Sequence, residues 1–191
     1  LSTVSGRAVI TGAHSYIGAA VAHELAGRGW TIHTLTNRRT PASVRHVTSA
    51  KLSFEPDHLA TELRGADVFV NTYWIRLPCG DQDFGTAVRN NRTLVDAAVR
   101  AGVGRFVHVS VSNASIDSPL GYYRGKAEVD AVVRTCGLPH AIVRPTLVVG
   151  PADVLTSNIA WFLRRFPIFP VPDGGTCRLQ PITLADSGRV I

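Results

Sequence analysis

Apolar residues in this chain fall into short runs, and the runs alternate with segments whose apolar positions recur at helical spacing. Val9-Ile10-Thr11 breaks at Gly12 and continues through Ala13-His14-Ser15-Tyr16-Ile17-Gly18 into Ala19 to Ala26, which predicts a strand, a tight turn and a helix. Trp30 to Leu35 reads as a second strand, Val44 to Leu52 as a weak third, and Pro56 to Leu63 as a short helix with proline near its first turn. Asp67 to Thr72 predicts a fourth strand, Phe84 to Ala101 a helix stopped by Gly102, and Phe106 to Ser110 a buried fifth strand. A helix from Tyr122 to about Cys136 follows, then a sixth strand at His140 to Arg144 that stops at Pro145. Strands alternating with helices in this way predict an α/β fold with a doubly wound parallel sheet.

Composition narrows the class. In 191 residues, 45% apolar and 18% charged, there is enough to bury a core and too little charge for disorder. No run reaches the roughly eighteen apolar residues of a membrane helix, and no charged-then-apolar leader is visible, so neither a span nor a secretory signal is expected. The sequence contains no methionine, which suggests a trimmed amino end. Cys79, Cys136 and Cys177 are widely separated and odd in number, favouring a reducing compartment, taken as the cytoplasm. The histidines are scattered without metal-ligand spacing, so no metal is expected. A formal charge of +6 suggests an anionic ligand or surface, but the arginines are dispersed and no aromatics interleave with them, which argues against nucleic acid.

The turn after the first strand is the first candidate for chemistry. Gly12 would allow its sharpness and Gly18 the packing of helix on strand, leaving the N–H groups from His14 through Ser15, Tyr16 and Ile17 aimed at a pyrophosphate. Ser15 stands where a Gly-x-x-Gly-x-x-Gly turn has its middle glycine, and its hydroxyl is expected to donate to a phosphate oxygen. After the second strand, an acidic residue about 20 positions beyond the glycines would bind the ribose 2′-hydroxyl of NAD, whereas arginine accommodates the 2′-phosphate of NADP. The chain has Thr36-Asn37-Arg38-Arg39 there and no carboxylate, so NADP(H) is favoured over NAD(H), with Asn37, Arg38 and Arg39 at the phosphate. Asn71, Thr72, Tyr73 and Trp74 close the fourth strand at the sheet's carboxyl edge, where ligands of such folds bind. Residues 1–150 thus read as a dinucleotide-binding Rossmann domain, and 151–191 as the start of a small C-terminal substrate lobe, incomplete at Ile191.

Tyr122 and Lys126 are four residues apart and would share a helix face. A positive charge beside a phenol, whose ordinary pKa is about 10, favours the phenolate and prepares the pair for proton exchange. Taken in order, Thr11-Gly12-x-x-Ser15-x-x-Gly18, the serines after the fifth strand, Tyr122-x-x-x-Lys126 and Arg144-Pro145-Thr146 resemble the short-chain dehydrogenase/reductase superfamily. The extended and atypical branches, NAD-dependent epimerase/dehydratase-like proteins, are most similar. Val109-Ser110-Val111-Ser112-Asn113, Asn158-Ile159-Ala160-Trp161 and Arg164-Arg165-Phe166-Pro167 add a likeness to the subgroup containing an accessory subunit of respiratory complex I.

This resemblance implies that Ser112 binds the substrate oxygen, Tyr122 moves the proton, and Lys126 holds the nicotinamide ribose while lowering the tyrosine pKa. It adds Pro145 and Thr146 to the cofactor residues. Asn90 and Asn91 lie about one helical turn from the asparagine that begins the fourth helix in extended members, so the resemblance gives Asn91 no role. Extended relatives commonly pair through two helices, here about Phe84 to Ala101 and Gly121 to Cys136, which makes a homodimer a candidate. Two classes of function stand open: an oxidoreductase or epimerase-like enzyme acting on a small carbonyl, alcohol or sugar-like molecule, or an NADPH-binding partner protein without chemistry. Trp161, Phe162, Phe166 and Phe169 near Arg164 and Arg165 could meet a membrane surface. The preferred reading of that stripe is core between two lobes, with arginine stems lying over it.

Overall fold

Successive side chains of a strand point to opposite faces, and at the centre of this sheet both faces are apolar. In β1 (Arg7–Thr11), Val9 joins Phe69, Leu94, Phe106 and Val129 on one side, while Ala8 and Ile10 join Val21, Val70 and Val107 on the other. A sheet buried on both faces needs helical crossovers above and below, the arrangement that parallel strands allow. The computed structural model describes residues 6–38, 47–176 and 178–191. Among them, β2 (Thr31–Thr36), β3 (Val47–Lys51), β4 (Val68–Asn71), β5 (Arg105–Val109) and β6 (His140–Val143) join β1 in the order β3-β2-β1-β4-β5-β6, with every pairing parallel. This is the expected doubly wound Rossmann sheet.

Helix α1 (Tyr16–Gly27) covers one face through Val21 and Ala22. Helices α2 (Pro56–Leu63), α3 (Phe84–Ala101) and α4 (Gly121–Arg134) cover the other through Leu59, Leu63, Val88, Val95, Val129 and Val133. Helix α3 has the ends its sequence predicts. The Asp83 carboxylate accepts from the Thr86 N–H at 2.6 Å, and Gly102 closes the helix in the left-handed region at φ 66°. Strand order reverses between β1 and β4, so their crossovers leave to opposite faces and a crevice opens at their carboxyl ends.

Beyond β6 the chain forms β7 (Leu147–Val149), α5 (Val154–Arg165), a 3-10 turn (Pro172–Gly175), β8 (Pro181–Thr183) and α6 (Leu184–Val190). Strands β7 and β8 pair in parallel as a separate ribbon, and α6 returns to lie on α1. The approach is close: a Cβ on Gly188 would stand 2.8 Å from the Ala20 carbonyl oxygen. The described residues do not cover the aromatic stripe expected to form inter-lobe core. Trp161 and Phe162 of α5 and Phe166 at its C-terminal cap pack edge and face against one another and are 56%, 46% and 48% exposed. Among the described residues no helix is long and apolar enough to cross a membrane, and no cluster of His, Cys, Asp or Glu could hold a metal.

Candidate functional site

The β1–α1 turn is held by backbone hydrogen bonds. Gly12 turns the chain at φ 71°, a left-handed conformation suited to glycine, and its N–H donates to the Leu35 carbonyl at 2.9 Å. The Ala13 N–H donates to the Thr34 hydroxyl at 2.9 Å, and the Ser15 N–H closes the turn on the Gly12 carbonyl at 2.8 Å. A Cβ on Gly18 would lie 2.1 Å from that same carbonyl oxygen, so this position has room for glycine alone. The first helical hydrogen bond is Ala19 N–H to the Ser15 carbonyl, which leaves the Tyr16, Ile17 and Gly18 N–H groups without helical acceptors. Ser15 caps none of them with its side chain, and the first turn contains no acidic residue to repel an anion. Together these groups present free N–H donors at a helix start, an arrangement suited to an anion.

Thr11 and Asn71 lock β1 to β4 beneath the crevice. The Thr11 hydroxyl donates to Asn71 Oδ1 at 3.1 Å and accepts the Thr72 N–H at 2.7 Å. The Asn71 amide donates to Asn91 Oδ1 at 2.7 Å, with both asparagines fully buried. Asn91, to which the resemblance gave no role, therefore supports the site from α3. Asn90 donates to the Tyr73 hydroxyl at 2.8 Å. A crevice of about 220 Å3 opens above, lined by Gly12, Ser15, Asn37, Arg38, Thr72, Tyr73 and Trp74 among others, with no carboxylate among the described residues of its wall. Asn37 and Arg38 are exposed at its mouth, and Arg39 lies outside the described residues.

At the other end, Lys126 is 3% exposed and its Nζ donates to the Val109 carbonyl at 2.9 Å. Burial depresses its pKa to about 7, against a smaller upward pull from the Asp130 carboxylate. The Trp74 indole joins the two ends: it lines the crevice, lies 4.4 Å below Lys126 Nζ, and meets Tyr122 edge-on at 5.9 Å. Tyr122 also packs edge-on against Phe84 at 5.8 Å. The expected lowering of the phenol is corrected, because burial raises the Tyr122 pKa, with the Arg76 charge pulling less strongly downward.

Ser112 follows β5, and its N–H donates to the Pro145 carbonyl at 3.2 Å, which ties the ends of β5 and β6 together. The Thr146 hydroxyl donates to the Gln180 carbonyl. His14 is half-buried, and burial followed by the Asp153 carboxylate raises the Tyr16 phenol. Sequence reasoning missed Trp74 as the bridge and Asn91 as the buried support. It also missed His108, which lies fully buried between Asn71 and Asp130. For His108 the signal was a histidine inside the apolar run Phe106-Val107-His108-Val109.

A glycine turn opening on a helix start, a crevice at the strand-order reversal and a buried lysine at its far end define an NAD(P)-binding Rossmann protein. The chain belongs to the NAD(P)H-binding family, whose model matches residues 12–153, in the atypical branch of the short-chain dehydrogenase/reductase superfamily. It is 26% identical to mitochondrial subunit 9 of the NADH dehydrogenase (ubiquinone) 1 alpha subcomplex of Arabidopsis thaliana, over 100% of this chain and 50% of that protein. It is 28% identical to the ceramide reductase of Caulobacter vibrioides, over 87% of this chain and 54% of that one. The chain thus spans about half the length of these curated relatives. Among solved structures it is similar to WbmH of Bordetella bronchiseptica in complex with NAD+, with a TM-score of 0.77, 19% identity, and coverage of 97% of this chain and 71% of that one. DesIV of Streptomyces venezuelae, a dTDP-glucose 4,6-dehydratase with NAD bound, matches with a TM-score of 0.71 and 25% identity, over 96% of this chain and 70% of that one.

Proposed function

We propose that this chain is the coenzyme-binding part of an NADP(H)-dependent oxidoreductase or epimerase-like enzyme acting on a small carbonyl, alcohol or sugar-like substrate. Lys126 carries this reading: an amine buried one helical turn from Tyr122 and 4.4 Å over the Trp74 wall of the crevice, its pKa lowered by burial to about 7, is the kind of perturbed group that marks a functional site. Tyr122 gives or takes the proton, Ser112 binds the reacting oxygen, and Lys126 holds the nicotinamide ribose. The cofactor supplies the hydride when bound. Its pyrophosphate is held by the N–H groups of Tyr16, Ile17 and Gly18 with the Ser15 hydroxyl. His14, Asn71, Thr72, Tyr73, Pro145 and Thr146 complete its surroundings.

NADP(H) is favoured over NAD(H) because Asn37 and Arg38 stand at the crevice mouth, Arg39 follows in sequence, and no carboxylate lines the described wall. Free thiols at Cys79 and Cys136 support a reducing compartment such as the cytoplasm. Thermal stabilisation by NADPH against NADH tests this reading, since a ligand bound only by the folded state raises the melting point according to its affinity. A larger shift with NADPH is expected. No shift with either coenzyme would sink the proposal.

A second reading is favoured by the Trp74 indole between Lys126 and Tyr122: an NADPH-binding partner protein without turnover. Two curated relatives are named as a subunit and an assembly factor, the latter photosystem II assembly factor Ycf39 of Cyanidium caldarium, 21% identical over 96% of this chain and 59% of that protein. The exposed aromatics of α5 beside Arg164 and Arg165 would be its contact surface. Sedimentation with anionic liposomes at low salt separates a lipid surface from a protein partner.

A further inference from the structure

A buried polar chain runs from the nucleotide turn to α4, and its donors and acceptors can be assigned one by one. The Tyr73 backbone N–H can only donate and meets Asn71 Oδ1 at 3.1 Å, which fixes that atom as the amide oxygen. Asn91 is fixed likewise: its Nδ2 donates to the Ala87 carbonyl at 2.8 Å, so its Oδ1 is the atom that receives the Asn71 amide at 2.7 Å. The same Asn71 Nδ2 faces His108 Nδ1 at 3.4 Å. Nδ1 is therefore the lone-pair nitrogen, and the ring proton sits on Nε2. Nε2 faces Asp130 Oδ1 at 3.8 Å, and both atoms are buried with no hydrogen-bond partner among the described residues. The second carboxylate oxygen, Asp130 Oδ2, accepts from Arg144 Nε at 3.0 Å and Nη2 at 2.6 Å, with Arg134 3.9 Å away. His108 and Asp130 are fully buried, and Asp130 lies one turn after Lys126 on α4. Burial and the neighbouring Lys126 charge both hold the imidazole neutral.

We propose that His108 is a positioning residue of this site: a neutral imidazole, locked in its Nε2–H tautomer, that joins the Thr11–Asn71 edge of the dinucleotide crevice to the Asp130–Arg144 pair on the lysine helix. It rests on the dinucleotide reading above. Through Nδ1 the ring keeps the Asn71 amide turned so that its oxygen serves Thr11 and the Tyr73 N–H, which sets the Thr72–Tyr73 wall of the crevice. Through Nε2–H it offers positive potential to Asp130, which α4 carries with Lys126. An apolar ring in its place orphans an amide N–H at one end and unseats the helix carboxylate at the other.

Nitrogen-15 NMR of the full chain reads the tautomer directly, the signal being assigned by its loss in His108→Asn. One imidazole with protonated Nε2 and bare Nδ1, unchanged across the neutral pH range, is expected; an Nδ1–H tautomer or an imidazolium overturns the proposal. Calorimetry with NADPH supplies the second readout. His108→Phe is expected to weaken binding about tenfold, the scale of one orphaned buried donor, whereas His108→Asn, which returns an acceptor near Nδ1, stays within about threefold. Should the phenylalanine variant fail to fold, His108→Gln takes its place. Glutamine reaches towards Asp130 but lacks the acceptor for Asn71, and it is expected to bind NADPH more weakly than His108→Asn. Equal affinity in wild type and variants, or equal losses in both variants, overturns the role. If the unsubstituted chain binds neither NADPH nor NADH, the dinucleotide reading falls and takes the role with it. Binding with the wrong tautomer removes His108 alone.

Discussion

At the nucleotide end of the crevice the parts are backbone: Gly12 at φ 71°, the Gly12 carbonyl against Gly18, and N–H groups left over at the start of α1. At the lysine end they are side chains from four elements: Trp74 after β4, His108 on β5, Lys126 and Asp130 on α4, and Arg144 after β6. Backbone N–H groups keep their polarity at any pH and cannot leave the turn, so the first end offers an anion a fixed set of donors. A buried amine with a pKa near 7 changes charge within the working range of a cell, so the second end can take part in proton movement. The molecule thus joins a fixed electrostatic socket to a titratable one, with Trp74 touching both.

Replacing Tyr122 by Phe is the largest test of that contrast. On an identified carbonyl substrate it should lower kcat by about 10²–10⁴, the range for a positioned proton donor, and leave NADPH affinity unchanged. An unaltered rate would reduce the lysine end to structure and favour the partner-protein reading. The next effect is a slope of stability with pH. The Lys126 pKa is about 7 folded and 10.5 when free, so between those values the unfolded chain binds the extra proton. Stability therefore rises with pH in this window, by up to about 1.4 kcal/mol per pH unit from this group. Urea denaturation of Lys126→Met should show that component missing and greater stability than wild type at pH 7 and below. Parallel curves for the two proteins would mean that the amine is not held in a low-dielectric place.

Two glycine substitutions sharpen the contrast at smaller scale. In Gly18→Ala the new Cβ meets the immovable Gly12 carbonyl at 2.1 Å, and a loss of about 1–3 kcal/mol with loss of NADPH binding is expected. In Gly125→Ala the Cβ meets the edge of Trp74 at 3.1 Å, a side chain that can shift. Alanine also suits the interior of α4 better than glycine by about 0.5–1 kcal/mol, so the net change should lie near zero. Paired denaturation curves decide it. Equal losses would show the lysine end to be as rigid as the nucleotide turn.

The same difference in materials governs what could be read from residues alone. The nucleotide turn was legible because glycine at a strand end has a local, steric meaning, and α3 was legible because Gly102 and the helical period mark it without reference to other elements. Strand β3 was expected at Val44 to Leu52 and is described at Val47–Lys51, with residues 44–46 outside the description. Strands β7 and β8 have three residues each and pair across a separation of 34, as in Leu147 with Pro181, which leaves no periodic mark in either segment. Tyr122 and Lys126 were legible as a spacing, but the direction of the phenol's pKa was not. That direction depends on Trp74 and Phe84 closing around the ring, a contact between distant segments.

An effect confined to one coenzyme is expected at the crevice mouth. Arg38 is exposed, and its backbone N–H donates to the Thr36 hydroxyl at 3.1 Å, so its place is set by β2 while its guanidinium stays in solvent. An exposed cation attracts a dianionic 2′-phosphate only through screened charge and hydrogen bonds. Arg38→Ala should therefore weaken NADPH by about threefold to tenfold, leave NADH unchanged, and lower the salt dependence of NADPH binding. Titration at two ionic strengths measures all three. Loss of both coenzymes alike would mean that Arg38 supports the turn rather than reading the phosphate, and an unchanged preference for NADPH would move that discrimination away from Arg38.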